Sequence, residues 1–138
     1  MSGFLSVLWS RTTTMKTKQI LVIDDEDGIR EIIQICLEAV AGWDVLTAAS
    51  GSEGLAIAKT QQPDAILLDV MMPDMDGPTT FRQLQANTAT QNIPTILLTA
   101  KAKISEQQQF IDLGVTGVIT KPFTAQDLVN QIQEILNW

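Results

Sequence analysis

The run AILLD, residues 65–69, consists of four apolar residues followed by a carboxylate. A strand that is short and apolar on both faces is typical of a parallel sheet that is covered on both sides. The carboxyl end of such a strand faces the crevice in which α/β sheets bind their ligands. We therefore expect Ala65–Asp69 to be a central strand and Asp69 to lie in a ligand-binding crevice.

Three other apolar runs also end in polar residues. These are Asp24 and Asp25 after residues 20–23, Thr99 after residues 96–98, and Lys121 after residues 118–120. The carboxyl ends of parallel strands meet at one edge of a sheet, so these side chains should converge. We interpret the convergence of acids, a hydroxyl and an ammonium as a functional site.

Apolar strands alternate with helical patterns from Lys18 onward. Strands are predicted at Gln19–Ile23, 43–48, Ala65–Asp69, 94–99 and Gly117–Thr120. The first helix is predicted from one apolar stripe at helical spacing, made of Ile29, Ile32, Ile33, Cys36, Leu37 and Val40. The other helices are expected after a capping box at Ser50 and Glu53, around Pro78, over residues 105–113, and from Thr124 or Ala125. Five βα units in succession predict a doubly wound parallel α/β sheet with helices on both faces.

The composition fits one globular domain of 138 residues, with 45% apolar and 18% charged residues. We expect residues 1–17 to form a loosely ordered N-terminal extension and residues 18–138 to form the domain, with no room for an output domain after it. The net charge of −7 and the lack of Lys and Arg clusters argue against nucleic-acid binding. Cys36 is the only cysteine and there is no histidine, which excludes an internal disulfide and histidine-ligated metals. No apolar run reaches the roughly 20 residues of a membrane span.

Asp24, Asp25 and Asp69 would repel one another in a partly dry crevice, so they require a counter-ion. Alone, Asp24 and Asp25 could cap the first helix, and Asp69 could be a turn residue. A hard divalent cation such as Mg²⁺ suits three carboxylates better. Three carboxylates, that cation and the Lys121 ammonium together carry no net charge. We therefore predict a phosphoryl-binding site in which Asp69 is the nucleophile that forms an acyl phosphate.

Thr99 and Lys121 also have plain structural interpretations, as a β-branched strand residue and a solvated lysine. At this edge, the Thr99 hydroxyl could bond a phosphoryl oxygen. Pro122 follows Lys121, and a cis Lys-Pro bond would direct the ammonium inward.

Four motifs together resemble the receiver domains of two-component response regulators. They are IDDE at 23–26, LDVMMPDMDG at 68–77, LTA at 98–100 and TKPF at 120–123, within a resemblance that spans residues 18–138. The resemblance implies a flavodoxin-like sheet of strand order 2-1-3-4-5. It also implies Mg²⁺ or Mn²⁺ as cofactor, and phosphoryl transfer to Asp69 from a histidine kinase or a histidine phosphotransfer protein.

The resemblance implies a role for each matching residue. Asp25 and Asp69 would ligate the metal directly, Asp24 would help through water, and the Met71 carbonyl would be a further ligand. In the same way, Thr99 and Lys121 would contact the phosphoryl group, and Thr99 would move inward and shift the loop that follows it.

The chain departs from the family pattern at Val118, where many members carry an aromatic ring that turns inward on phosphorylation. Valine is short and stiff at χ1, so we predict that phosphorylation changes the loop after Thr99 and the fourth helix more than the fifth strand. Met71 and Lys101 flank the expected approach of a hydrolytic water. Met71 offers no good acceptor to orient that water, which predicts a long-lived phosphorylated form.

The resemblance implies a cytoplasmic, single-domain signalling protein and not an enzyme, acting as a monomer or weak dimer. It would dock onto another protein through its fourth helix, fifth strand and fifth helix. One alternative is a phosphatase of the haloacid-dehalogenase type with Asp25 as nucleophile, because residues 25–28 resemble its Asp-x-Asp signature. Another is a receiver-like docking module that is never phosphorylated.

Overall fold

The computed structural model describes residues 17–100 and 103–138. The strands are β1 (Gln19–Ile23), β2 (Asp44–Ala48), β3 (Ala65–Asp69), β4 (Thr95–Thr99) and β5 (Gly117–Thr120). They form one parallel sheet of order β2-β1-β3-β4-β5. This is the flavodoxin-like topology that the family resemblance implies.

Five helices follow the five strands. They are α1 (Asp27–Cys36), α2 (Gly51–Gln61), α3 (Gly77–Ala86), α4 (Ile104–Asp112) and α5 (Ala125–Leu136). The bounds of β2, β4 and α4 differ from the predicted ones by one residue. Pro94 precedes β4, but its carbonyl still accepts a ladder bond from the Ile66 N–H at 2.9 Å.

Alternate strand residues enter two hydrophobic cores, one on each face of the sheet. Ile20 and Val22 face the core that α1 and α5 cover, whereas Leu21 and Ile23 face the core that α2 and α3 cover. Every residue of β3 is buried. The all-apolar run at 65–68 therefore results from a central position in the sheet, as its composition predicts.

The predicted apolar stripe of the first helix is only partly correct. Ile33 and Leu37 are buried, but Ile32 is 59% exposed and Val40 is exposed too. Leu37–Ala41 forms a π-helical segment after α1, which ends at Gly42 with a φ of 70°. The wider π-helical turn changes the rotation along the helix, so Val40 no longer follows the inward stripe. Ile32 lies about 100° around the helix from Ile33, beyond the strip that the sheet covers.

Side-chain caps begin two of the helices where the sequence predicts them. Ser50 Oγ accepts a hydrogen bond from the Glu53 N–H at 3.1 Å, and the Glu53 carboxylate accepts one from the Ala49 N–H. Thr124 caps α5 by accepting from the Asp127 N–H at 3.1 Å. Within the part of the chain that the structure describes, every helix is too short or too polar to cross a membrane.

Candidate functional site

The carboxyl edge of the sheet carries the polar residues that the sequence singles out. Asp24 follows β1, Asp69 ends β3, Thr99 ends β4 and Lys121 follows β5. The Lys121 N–H donates to the Thr99 carbonyl at 2.8 Å, which extends the ladder between β4 and β5. The fold therefore brings these residues together, as expected for the ends of parallel strands.

Three carboxylates form a cluster at this edge. Asp24 is fully buried, Asp69 is nearly so and Asp25 is partly exposed. One oxygen from each of these side chains lies within 4.8 Å of the others. Neither Asp24 nor Asp25 is the N-cap of α1, because that position belongs to Glu26. The capping interpretation of these two residues is therefore wrong.

Asp24 uses only one of its carboxylate oxygens for hydrogen bonding within the described residues. Its Oδ1 accepts from the Glu26 N–H at 2.9 Å. Its Oδ2 is buried without a hydrogen-bond partner in that part of the chain, although Lys121 Nζ lies 3.7 Å away. A buried carboxylate oxygen without a hydrogen bond costs free energy, and a bound cation or water would offset that cost.

Lys121 makes a direct ion pair with Asp69, with Nζ donating to Oδ1 at 2.6 Å. Burial raises the pKa of Asp69, and the charges of Asp24 and Asp25 add to this, so together they outweigh the hydrogen bond and charge of Lys121. Burial alone would lower the pKa of Lys121, but the hydrogen bond and charge of Asp69 raise it overall. The pKa of Asp69 is therefore shifted in the opposite direction from that of an exposed carboxylate in an ion pair, and burial is the main cause.

These residues fit a hard divalent cation. The donors are all oxygens, the cluster holds three carboxylates against one ammonium, and a buried carboxylate oxygen lacks a hydrogen bond. Mg²⁺ commonly binds through one or two carboxylates and fills its remaining positions with water or phosphate oxygens. A water molecule bound to the cation would supply the partner that Asp24 Oδ2 lacks.

The start of α3 packs directly against the end of β3. A Cβ at Gly77 would lie 2.6 Å from the Asp69 carbonyl oxygen, so a side chain does not fit there. The Gly77 N–H donates to the Val70 carbonyl at 2.9 Å. Asp76 caps α3 by accepting from the Thr79 N–H at 2.8 Å, and hydrogen bonding to the side chain and backbone of Thr79 lowers the pKa of Asp76. The Gly77–Val70 bond and the Asp76 cap therefore fix the two ends of the loop between β3 and α3.

Arg30 also belongs to this region, although the pattern of polar strand ends does not include it. Its Nη1 donates to the Asp24 carbonyl at 2.8 Å, and its Nη2 pairs with Asp27. Arg30 thus holds the backbone of the acidic loop against α1. Its spacing of three residues from Asp27 on a predicted helix was the available signal.

The remaining predicted residues have distinct environments. Thr99 is buried and Val118 is partly buried against the core beneath α3. Met71 lies two residues after Asp69 with its side chain 68% exposed. The Lys121–Pro122 peptide bond is cis. Lys101 lies outside the described residues.

An apolar groove of about 230 Å³ adjoins the acidic cluster. It runs between α1 and the segment that connects β5 to α5. Its lining consists of Ile29, Ile32, Ile33, Lys121, Pro122 and Phe123. Because Lys121 also bonds Asp69, the groove reaches the edge of the candidate site.

Comparisons with solved structures show close similarity in fold. The chemotaxis protein CheY4 of Vibrio cholerae is 31% identical, with a TM-score of 0.81 over 87% of this chain and 99% of that protein. The receiver domain of the sensor histidine kinase PA1611 from Pseudomonas aeruginosa is 27% identical, with a TM-score of 0.78 over 89% of this chain and all of that domain. That structure is described as having a magnesium ion coordinated in its active-site cleft.

Curated relatives are similar over most of this chain. The DNA-binding dual master transcriptional regulator RpaA of Synechocystis sp. is 38% identical over 118 residues, which are 86% of this chain and 48% of RpaA. The phosphate regulon regulatory protein PhoB of Pseudomonas aeruginosa is 38% identical over 122 residues, which are 88% of this chain and 53% of PhoB. The chain therefore spans about half the length of these relatives. The expectation that it binds no nucleic acid stays a prediction.

The family model for the response regulator receiver domain matches residues 20–133. This range contains the acidic cluster, Lys121 and the five strands except Gln19, the first residue of β1. The chain belongs to the family of response regulator receiver domains, which are parts of two-component signalling systems.

Proposed function

We propose that Asp69 accepts a phosphoryl group from the phosphohistidine of a histidine kinase or a histidine phosphotransfer protein. The observation that carries this proposal is the cluster of Asp24, Asp25 and Asp69, in which Asp24 Oδ2 lacks a hydrogen bond and Lys121 bonds Asp69. Such a cluster suits a divalent cation and a phosphoryl group together. Membership in the receiver-domain family supports the same conclusion.

The reaction forms one bond and breaks another. A carboxylate oxygen of Asp69 attacks phosphorus while the P–N bond to the donor histidine breaks, and its electrons leave with the imidazole. The product is an acyl phosphate. The Lys121 ammonium would transfer its hydrogen bond from Asp69 to a phosphoryl oxygen, and the Thr99 hydroxyl would donate to another. Both groups would thus stabilise the charge of the transferring group.

We assign the metal to Asp25, Asp69 and the Met71 carbonyl, with Asp24 acting through water. Bound Mg²⁺ or Mn²⁺ would supply positive charge to the phosphoryl oxygens during transfer. Without that charge, the three carboxylates would repel an incoming phosphoryl group. This is why we expect the reaction to require a divalent cation.

We place the docking of the phosphohistidine donor at the apolar groove between α1 and the β5–α5 connection. Ile32 is 59% exposed there, and exposed apolar surface of this kind is typical of protein interaction sites. The groove includes Lys121, so a protein bound in it would lie next to Asp69.

Phosphorylation would be read on the surface formed by α4, β5 and α5, through docking of another protein. Ile104 is 83% exposed on α4, and Ile111 is exposed further along the same helix. These side chains give the surface an apolar component among its glutamines. We expect the signalling to occur in the cytoplasm, with the domain as a monomer or weak dimer.

The proposal is tested by the intact mass of the protein after incubation with acetyl phosphate and Mg²⁺. The wild type should gain one phosphoryl group, and Asp69→Asn should gain none. The gain should also disappear when Mg²⁺ is chelated. A wild type that never gains mass, or an Asp69→Asn variant that still does, would contradict the proposal.

The same measurement separates the alternatives. A phosphatase of the haloacid-dehalogenase type would carry the phosphoryl group on Asp25, so Asp25→Asn and not Asp69→Asn would remove the labelled site. In our assignment, Asp25→Asn weakens metal binding while Asp69 keeps its position as acceptor. A docking module that is never phosphorylated would remain unlabelled by every histidine kinase in a panel and would still bind its partner.

A further inference from the structure

Among the helices that the structure describes, α4 is the most weakly anchored. None of its residues is buried, whereas each of the other four helices buries at least one. Phe110 is only partly buried where it packs against the core, and Ile104 is almost fully exposed. Elements with few buried apolar contacts open and shift at low free-energy cost. α4 is therefore the helix most easily displaced from the sheet.

A side-chain hydrogen bond joins α4 to the sheet close to the acidic cluster. Gln107 Nε2 donates to Thr120 Oγ1 at 3.1 Å in a partly buried position. Thr120 is the last residue of β5, lies opposite Thr99 in the parallel ladder and directly precedes Lys121. Thr120 is therefore a neighbour of both residues that we expect to contact the phosphoryl group, Thr99 across the ladder and Lys121 along the chain.

We propose that the Gln107–Thr120 hydrogen bond is a latch that holds α4 on β5 in the unphosphorylated state and that breaks when Asp69 is phosphorylated. This inference rests on the proposed function of Asp69. The structure has Lys121 bonded to Asp69 itself, whereas we expect Lys121 to contact the phosphoryl group after transfer. Movement of Thr99 towards a phosphoryl group would displace the loop that leads into α4, and Gln107 lies in the first turn of that helix.

Because position 118 carries a valine, an aromatic ring cannot move there to report phosphorylation, and we expect a hydrogen bond to take that role. Val118 and Thr120 are two residues apart on β5, so their side chains point to the same face of the sheet. Val118 is partly buried and too short to swing between two positions as an aromatic ring can. The hydrogen bond from Gln107 is a contact between this face and α4 that can be made or broken as a unit.

The adjacent glutamine provides a matched control. Gln108 Nε2 donates to Asp112 Oδ1 at 2.9 Å, a contact that stays within α4 and is exposed. Gln107→Leu and Gln108→Leu therefore make the same chemical change one residue apart. Only the first removes a bond between α4 and β5.

Hydrogen exchange of the α4 amides in the metal-free protein tests the latch without any phosphoryl chemistry. Gln107→Leu and Thr120→Val should each increase the exchange rates of α4 by roughly three- to tenfold, as expected for the loss of one hydrogen bond. Gln108→Leu should leave them within about twofold of wild type. Equal rates in Gln107→Leu and wild type would overturn the proposal.

Binding of beryllofluoride with Mg²⁺, which mimics the phosphoryl group on Asp69, tests the switching role. Removing a bond that exists only in the resting state shifts the population towards the active state. Gln107→Leu should therefore bind the mimic roughly three- to tenfold more tightly, and Gln108→Leu should bind like wild type. The double variant Gln107→Leu with Thr120→Val should bind no more tightly than the stronger of the two single variants, because both remove the same bond.

The outcomes separate this inference from the proposed function. If the wild type does not bind the mimic at all, the proposed function of Asp69 fails, and the exchange rates of α4 still decide whether the latch holds the helix. If the wild type binds it and Gln107→Leu shows unchanged or weaker affinity, the proposed function stands and the latch is overturned. Additive effects of the two substitutions would also overturn it.

Discussion

Asp24 is fully buried, and one of its carboxylate oxygens has no hydrogen-bond partner within residues 17–100 and 103–138. Two more carboxylates lie within 4.8 Å of it. Such an arrangement lowers the free energy of unfolding of the metal-free domain, because like charges repel and a buried oxygen is left unsatisfied. Proteins retain unfavourable arrangements of this kind chiefly at functional sites. The assignment of a metal and a phosphoryl group gives Asp24 a reason to be there.

Met71 bears on the lifetime of the acyl phosphate. Its exposed thioether accepts hydrogen bonds poorly, so it would not orient a hydrolytic water near Asp69. Met71→Asn introduces an amide that can do so, and we expect it to speed dephosphorylation by roughly three- to tenfold, about the effect of one hydrogen bond. The decay of the phosphorylated mass after removal of acetyl phosphate measures this rate.

Met71→Leu is the control for that change, because it keeps an apolar side chain at the same position. It should decay at the wild-type rate. Equal lifetimes for Met71→Asn and wild type would remove the basis for a hydrolysis-tuning role at this position.

At the level of secondary structure, the α1 region contributes side chains both to the core and to the exposed surface. Ile33 and Leu37 pack into the core, whereas Ile32 and Ile35 point to solvent. The hydrophobic spacing alone places Ile32 in the same stripe as Ile33 and Leu37. The sheet covers only part of that stripe, and the uncovered part adjoins the candidate site through the groove beside Lys121.

Ile32 should contribute to phosphoryl transfer from a histidine kinase but not to transfer from acetyl phosphate. Ile32→Ser removes an apolar contact in the groove, and we expect roughly a fivefold or larger loss in the rate of phosphotransfer from the most active kinase of a panel. Labelling by acetyl phosphate should be unchanged, because that donor needs no docking surface. Time courses with the two donors provide the measurement.

Ile35→Ser is the matched control, since Ile35 is a similarly exposed isoleucine of α1 that does not line the groove. It should transfer at the wild-type rate with both donors. Equal losses in the two variants, or a loss with acetyl phosphate as well, would show that the groove is not the docking site.

For the whole molecule, the net charge of −7 and the acidic cluster at one edge of the sheet couple stability to divalent cations. A ligand that binds only the folded state stabilises it by mass action. Mg²⁺ at 100 times its dissociation constant should raise the free energy of unfolding by about 2.7 kcal/mol. Urea unfolding with and without Mg²⁺ measures the difference.

Asp25→Asn should remove most of that stabilisation, because it withdraws a proposed metal ligand. Asp44→Asn makes the same change at an exposed position at the start of β2, the opposite edge of the sheet, and should retain it. Similar Mg²⁺ responses in the two variants would mean that the cation acts on general surface charge and not on the cluster.

The sheet and the strand-end residues were predictable because they depend on local patterns. β1, β3 and β5 have the predicted bounds, and the alternation of strands with helices predicted the strand order once the family resemblance was added. The exposure of Ile32 and the π-helical segment after α1 were not predictable. Both depend on which part of the helix surface the neighbouring elements cover.

The amino-acid sequence by itself determined that Asp24, Asp69, Thr99 and Lys121 lie at the ends of apolar strands, because a run of four or five residues is enough to specify a buried strand and its end. Only the tertiary structure decided which of these atoms meet. The Lys121–Asp69 bond joins residues 52 positions apart, and the Gln107–Thr120 bond joins residues 13 positions apart. The unsatisfied Asp24 oxygen is likewise visible only once its surroundings are assembled. Spacing along the chain encodes local periodicity, whereas pairing between distant side chains depends on how whole elements pack.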